Sequence, residues 1–188
     1  MHLVIERAEE KCDPAFTTAV EEVSRAGLER CYQCLTCTLS CPVAPDMDYP
    51  PHQIMRLVHL GLRQPVLSSS SIWLCATCET CVARCPQEVD ILKVMDTLKE
   101  MAIQEKVTGK ERIIPIFHDT FLRSIKMFGR QHELSMLLLL KLRTRDLFTD
   151  LDLGVKMLLR GKMGLLPPKM KGTKEMKIIF DKAKEESS

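Results

Sequence analysis

The chain has 188 residues, of which 45% are hydrophobic and 28% charged, and its formal net charge is +2. That length suits one domain, or one domain with an extension, and the near balance of charge argues against a protein that binds nucleic acid through a dominant basic surface. Nine cysteines are present, an odd number that cannot pair completely into disulfides within one chain.

The N-terminal segment, residues 1–12, is charged where a secretion signal needs an apolar run; its charged residues are Glu6, Arg7, Glu9, Glu10 and Lys11. The longest apolar stretch, 134–140, is far shorter than the roughly 18–20 residues that span a bilayer. We therefore expect a cytoplasmic protein with no membrane span. Clustered cysteines in that reducing compartment more often hold metal than form disulfides.

Three helices are predicted in the first half of the chain. Asp13 and Pro14 are typical of an N-cap and a first helical position, and they predict a helix that ends near Gly27, with an apolar face of Ala15, Ala19, Val20 and Val23. Pro51 predicts the start of the next helix, and Pro65 predicts its end; its apolar face is Ile54, Leu57, Val58 and Leu62.

Asp90 predicts the start of the third helix, and Gly109 lies beyond its end. Its apolar residues are Ile91, Val94, Met95, Leu98 and Met101. No alternating strand pattern and no hairpin turn signal occurs in the sequence. The predicted fold class is therefore all-α.

Eight of the nine cysteines form one motif that occurs twice. The first copy is Cys31-x2-Cys34-x2-Cys37-x3-Cys41-Pro42 and the second is Cys75-x2-Cys78-x2-Cys81-x3-Cys85-Pro86, 44 positions later, and Thr36 recurs as Thr80. This spacing is the ligand run of [4Fe–4S] clusters in bacterial-type ferredoxins. Two-residue gaps let a tight loop direct three sulfurs at one cubane, and its backbone N–H groups point at the cluster sulfurs.

In two-cluster proteins of this type the fourth cysteine of each run binds the other cluster. The spacing therefore predicts two [4Fe–4S] clusters. Cluster 1 is predicted to be held by Cys31, Cys34, Cys37 and Cys85, and cluster 2 by Cys75, Cys78, Cys81 and Cys41.

Other interpretations of these cysteines are weaker. Structural zinc takes four ligands, usually from two Cys-x2-Cys pairs, and does not need four cysteines at this spacing twice. Cys12 has no partner at ligand spacing and is predicted to be a spare thiol. The histidines at positions 2, 52, 59, 118 and 132 show no metal spacing and are predicted to be structural or exposed. Trp73 either shields cluster 2 from water or anchors the loop that enters the second motif.

The tail, residues 111–188, has no cysteine and is predicted to form helices around 115–128, 131–143, 149–160 and 173–186. Six methionines in it, Met127, Met136, Met157, Met163, Met170 and Met176, are either core filler or part of a partner-facing surface. From Lys156 to Lys184 there are nine Lys/Arg and two Asp/Glu, an excess that forms a solvated face or binds an acidic partner. The tail is predicted to be a helical partner-binding extension, and residues 13–110 the cluster domain.

The double motif on a helical frame resembles the α-helical ferredoxin domains of respiratory and anaerobic oxidoreductases. The segments 50–62, 72–78, 84–86 and 160–167 make the chain most similar to the iron–sulfur C subunits of heterodisulfide reductases. The resemblance implies an electron-transfer protein without an active site of its own. It would relay single electrons between two partner subunits, one that contains flavin and further iron–sulfur clusters and one that is rich in cysteine and reduces the disulfide. The substrate of the complex would be the coenzyme M–coenzyme B heterodisulfide in methanogens, or a related sulfur compound elsewhere.

Two other functions are weaker. One is the iron–sulfur subunit of a glycerol-3-phosphate, glycolate or succinate/fumarate system, but such subunits usually carry a [2Fe–2S] or cysteine-doublet domain on the same chain, and neither motif occurs here. The other is a redox sensor, which would expose reactive thiols rather than space them as ligands.

Overall fold

The computed structural model describes residues 12–107, 109, 111–144, 156–157, 159–160 and 172–186. Within these residues all regular secondary structure is helical, so the predicted all-α class is confirmed. The helices are α1 Pro14–Ser24, α2 Thr36–Leu39, α3 Pro51–His59, α4 Arg63–Leu67, α5 Ser71–Leu74, α6 Thr80–Ala83, α7 Ile91–Gln104, α8 Ile113–Phe128, α9 Glu133–Thr144 and α10 Thr173–Glu186. Most of the helix predicted at 149–160 lies outside the described residues.

The chain divides into two compact units, Met1–Arg112 and Ile113–Ser188. The assignment of residues 13–110 to cluster binding and of 111–188 to partner binding stays a prediction. None of the helices in the described ranges has both the length and the apolar character needed to cross a membrane.

Helix α1 starts where the sequence predicts, but its buried face is different. The Asp13 side chain caps it by accepting a hydrogen bond from the Ala15 N–H at 3.0 Å. The buried residues are Phe16, Val20 and Ser24, which are spaced four apart and so share one face. The predicted face was wrong in two members, since Ala15 is exposed and Val23 is 60% exposed.

The predicted end of α1 near Gly27 was also wrong. The helix ends at Ser24 because Arg25 takes a left-handed conformation, with φ 49°. The Arg25 N–H then bonds to the Glu21 carbonyl at 2.7 Å and satisfies one of the carbonyls that a helix end leaves unpaired.

Pro65 does not end the helix that Pro51 begins. Helix α3 ends at His59, and the chain turns at Gly61, whose φ is 68°. Pro65 lies in the first turn of α4. The missing N–H of a proline costs nothing there, because N–H groups in the first turn have no partner within the helix. The prediction that Pro65 ends the preceding helix was therefore wrong, because Pro65 lies at the start of the next one.

The core of the first unit is formed where α7 packs against α1, α4 and α5 and where α1 packs against α3. Its largest fully buried side chains include Phe16, Ile54, Met55, Leu67, Ile72, Met95 and Leu98. The Arg63 guanidinium lies 5.4 Å from the centre of the Phe16 ring, a cation–π contact at the edge of this core.

The second unit is held by the packing of α8 against α9 and of α10 against α8. Asp119 on α8 binds both Arg123 and Arg143, and Lys126 pairs with Asp181 on α10 at 2.7 Å. The methionines here do not share one role. Met136 is buried, whereas Met127 and Met157 are exposed, and Met163 and Met170 lie outside the described residues.

The predicted Asp90 cap at the start of α7 is present and provides a test of stability. Its Oδ1 accepts the Lys93 N–H at 3.1 Å, and its Oδ2 lies 3.0 Å from Lys93 Nζ. Partial burial opposes ionisation of the carboxyl, but these contacts with Lys93 outweigh it and lower the pKa of Asp90 below its ordinary value. We expect Asp90→Ala to reduce the free energy of unfolding by about 1 kcal/mol at pH 7, measured by urea unfolding.

The same variant has a predictable pH dependence. Because the folded-state pKa is lowered, the contribution of Asp90 is complete above the unfolded-state pKa of about 3.9 and is lost as the pH falls through the folded-state value. The difference between wild type and variant should therefore shrink in acid. Asp96→Ala, which removes an exposed partner of Lys99 on the same helix, is the matched control and should cost far less. A difference that stays constant down to about pH 3 would contradict the ionic part of this account.

Candidate metal centre

The two cysteine motifs fold into matching loops, each leading into a short helix, α2 or α6. Gln33 and Leu35 in the first loop have φ values of 62° and 66°, and Thr77 and Glu79 at the same positions of the second have 50° and 58°. A left-handed conformation costs a non-glycine residue roughly 1–2 kcal/mol. Backbones that mix left- and right-handed residues form concave nests of N–H groups, which bind anions and iron–sulfur clusters. The repeated conformation indicates that both loops are shaped for such a group.

The loops form two cavities, and the cysteines are divided between them across the repeat. The first cavity, about 360 Å³ including its mouth, is lined by Cys31, Cys34, Cys37 and Cys85. The second, about 400 Å³ including its mouth, is lined by Cys41, Cys75, Cys78 and Cys81. We call these the first site and the second site. The structure thus brings together the same sets of four that the spacing predicts, and their role as ligands stays a prediction.

The residues fit a cubane cluster. Each cavity is lined by four thiols, and soft thiolates are the ligands that iron–sulfur clusters take. Across the described residues, no three His, Cys, Asp or Glu side chains converge on a point where one metal ion would lie. Four thiols around one cavity match the chemistry of a group with four separate iron corners, each taking one thiolate.

Cys37 at the first site is buried, and Cys81 at the second is half-buried. Burial raises the pKa of the Cys37 thiol. Burial, followed by the nearby Cys75, raises the pKa of Cys81 to about 11. A cluster's iron binds the thiolate and not the thiol, so binding at these two positions must release protons.

The threonine that recurs in both motifs contacts the most exposed ligand cysteine. Thr36 Oγ1 lies 3.3 Å from Cys34 Sγ, and Thr80 Oγ1 lies 3.4 Å from Cys78 Sγ. These hydrogen bonds lower the pKa of both thiols. A metal-bound thiolate has no proton to donate, so in the bound state the hydroxyl is the donor. The recurrence of threonine at this place is thereby explained by the site rather than by the helix.

Two residues of the site carry no signal in the sequence. Ile91, which the pattern assigns only to the apolar face of α7, is 3% exposed and lines both cavities. His52 lines the first cavity, where its Nδ1 lies 2.8 Å from Thr38 Oγ1 and burial lowers its pKa. Neither residue belongs to a motif: His52 is on α3, which packs against α2 of the first motif, and Ile91 begins α7, which packs against α6 of the second.

Cys12 and Trp73 are placed outside both cavities. Cys12 is exposed and is absent from the lining of either site. Trp73 is 7% exposed and packs within the core instead of lining the second cavity. Of its two interpretations, the structure favours an anchor for the loop that enters the second motif.

The segment that contains this site is similar to known iron–sulfur proteins. Residues 27–89 match the 4Fe-4S dicluster domain. The chain is 35% identical over 114 residues to the iron-sulfur C subunit of the CoB–CoM heterodisulfide reductase of Methanopyrus kandleri, covering 60% of this chain and 57% of that protein. It is 40% identical over 106 residues to the second iron-sulfur C subunit of the same enzyme from Methanocaldococcus jannaschii, covering 50% and 56%.

A third relative, the C subunit of the ferredoxin:CoB-CoM heterodisulfide reductase of Methanosarcina acetivorans, is 43% identical over 81 residues, which cover 43% of this chain and 32% of that protein. The chain thus spans little more than half the length of the first two relatives and about a third of the length of the last. The names of these relatives confirm the resemblance predicted from the motifs. The match of residues 27–89 to the 4Fe-4S dicluster domain indicates two [4Fe–4S] clusters as cofactors, and the chain is similar to the iron-sulfur C subunits of heterodisulfide reductases.

Proposed function

We propose that this chain is the electron-transfer subunit of a cytoplasmic heterodisulfide-reductase-type complex. In this role it connects a flavin-containing subunit with a cysteine-rich subunit that reduces the disulfide. The disulfide is that of coenzyme M and coenzyme B or a related sulfur compound. The eight motif cysteines hold the two clusters in the sets that line the first and second sites. A bound [4Fe–4S] cluster supplies one-electron chemistry.

The observation that carries this proposal is the contact of Ile91 with both cavities. Ile91 is 3% exposed, and because it lines both cavities the two sites are neighbours. Cys37 of the first site is also close enough to Cys81 of the second to contribute to the raised pKa of Cys81. Two redox groups in neighbouring sites suit electron transfer between them.

The surroundings of the first site support binding to a larger protein. Leu39 is 84% exposed, and Tyr32 is 60% exposed. Both belong to the first motif, and Tyr32 and the exposed Leu35 line the mouth of the first cavity. Large apolar side chains grouped on a surface are typical of an interface with another protein. The first and second cavities are both lined by the proposed cluster ligands, and in the proposed role the chain relays electrons without reducing a substrate itself.

The cofactor content is the first measurement. Full-length protein purified without oxygen should contain about eight iron atoms per chain, and Cys12→Ser should retain that content because Cys12 lines neither site. Zinc in place of iron, in protein never exposed to air, would contradict the proposal.

The partners are the second measurement. Affinity capture of the tagged full-length chain from its native cells should recover a flavoprotein and a protein rich in cysteine doublets. Recovery of a flavin dehydrogenase for glycolate or glycerol 3-phosphate would instead place the chain in a different oxidoreductase.

A further inference from the structure

The two sites are built by one repeated motif, but their contacts with the cysteine sulfurs are not all the same. The threonine contacts occur at both, with Thr36 at the first site and Thr80 at the second. These two contacts are therefore expected to affect the reduction potentials of the two sites equally. The remaining differences lie at matched positions of the repeat. Each of them is expected to raise or to lower the reduction potential of a bound cluster.

The first difference is the amide of Gln33. Its Nε2 donates a hydrogen bond to Cys31 Sγ at 3.5 Å. The matched residue of the second motif is Thr77, whose shorter side chain has no amide to donate. Among the described residues, the side-chain hydrogen bonds found to sulfurs of the second site come from Thr80 alone.

The second difference is a backbone donor beside the fourth cysteine. The Val89 N–H donates to Cys85 Sγ at 3.3 Å, and Cys85 lines the first site. The residue at the matched position, four after Cys41, is Pro45. A proline has no N–H, so the equivalent bond to the second site is ruled out by the sequence itself.

The third difference is a charge. Glu79 lines the second cavity, and its matched residue at the first cavity is Leu35. Of the described residues lining the two cavities, Glu79 is the only Asp, Glu, Lys or Arg. Its carboxylate is exposed, so its field at the cluster is weakened by water and salt without being removed.

All three differences act in the same direction. A reduced cluster carries one more negative charge than an oxidised one, so hydrogen-bond donors to its sulfurs stabilise the reduced state and a nearby carboxylate opposes it. Resting on the proposed function, we infer that the first site has the higher reduction potential of the two. Gln33 and the Val89 N–H raise the potential of the first site, and Glu79 lowers that of the second. A single electron shared by the pair at equilibrium therefore resides at the first site.

Reciprocal exchange between the repeats tests this inference. The experiment is a redox titration of the full-length, cluster-containing chain at low ionic strength, followed by electron paramagnetic resonance, which should give two midpoint potentials. Gln33→Thr should lower the higher midpoint potential by up to about 59 mV, which for a one-electron couple is a tenfold change in the equilibrium constant for reduction. The lower midpoint potential should not move. Glu79→Leu should raise the lower midpoint, by an amount that shrinks as salt is added.

The control is Val23→Ala, which shortens an exposed side chain of α1 that lines neither cavity and should leave both midpoints unchanged. The inference is overturned if Gln33→Thr moves the lower midpoint, if Glu79→Leu moves the higher one, or if neither variant moves either. If Gln33→Thr fails to retain its cluster, the surviving midpoint must be the lower one, and survival of the higher one overturns the inference. A chain with about eight iron atoms but a single shared midpoint overturns this inference alone, whereas a chain that holds no iron–sulfur cluster contradicts the proposed function itself.

Discussion

Replacement of Cys41 by alanine is expected to remove the cluster of the second site and to spare that of the first. Cys41 belongs to the first motif, yet it lines the second cavity with Cys75, Cys78 and Cys81. The iron content should therefore fall from about eight to about four atoms per chain. The loss should occur at the site formed by the other motif, because the fourth cysteine of each run is directed across the repeat.

Alkylation followed by mass spectrometry identifies which cluster is lost. Cysteines that hold a cluster are protected from an alkylating reagent, because their sulfur is already bound to iron. In Cys41→Ala, the reagent should modify Cys75, Cys78 and Cys81. In the mirror variant, Cys85→Ala, it should instead modify the cysteines that share the first cavity with Cys85, namely Cys31, Cys34 and Cys37.

The matched control is Cys12→Ser, in which all eight motif cysteines should stay protected, since Cys12 lines neither cavity. The crossed assignment is wrong if Cys41→Ala exposes the first three cysteines of its own motif. Loss of both clusters in both variants would show that the two sites fold only together. The potentials of variants at Gln33 and Glu79, which keep all eight cysteines, would then be the remaining way to tell the sites apart.

The features that the sequence predicted well depend on residues close together along the chain. The cysteine spacing predicted which four cysteines line each cavity, because three of each four lie in one tight loop; that these cysteines bind the clusters stays a prediction. The Asp90 cap was predicted because a capping side chain reaches only two or three residues ahead, and the structure has that bond to Lys93. Both are local rules.

The features that it missed depend on packing between distant segments. The buried face of α1 is centred on Phe16, whose ring lies under Arg63 of α4. Which face of α1 is buried therefore depends on the elements packed against it, and the sequence of the helix alone does not identify them. Pro65 could close one helix or open the next, and the turn at Gly61 decides the matter. Ile91 lines two cavities only because the start of α7 packs between both motif loops.

Gly61→Ala is expected to destabilise the first unit more than the same substitution at another buried turn glycine with a positive φ. Gly61 has a φ of 68°, and its carbonyl accepts a hydrogen bond from the Asp13 N–H at 3.0 Å. An added Cβ would lie 2.7 Å from both the backbone N and the backbone C of Asp13 and would also contact its carbonyl oxygen. Backbone atoms cannot move aside as a side chain can, so the junction between α3 and the start of α1 would have to shift.

Two costs therefore add for Gly61→Ala: roughly 1–2 kcal/mol for a left-handed residue with a Cβ and about 1–3 kcal/mol for overpacking. Urea unfolding of the cluster-containing chain should show a loss of about 3 kcal/mol. Gly27→Ala is the matched control, because Gly27 has a similar φ of 73° but its Cβ would meet only the guanidinium end of Arg30. A flexible side chain can turn away, so the control should show the left-handed cost of about 1–2 kcal/mol and little more. Equal losses in the two variants would mean that the Asp13 backbone yields readily, and that the close approach of α1 to the turn after α3 does not stabilise this fold.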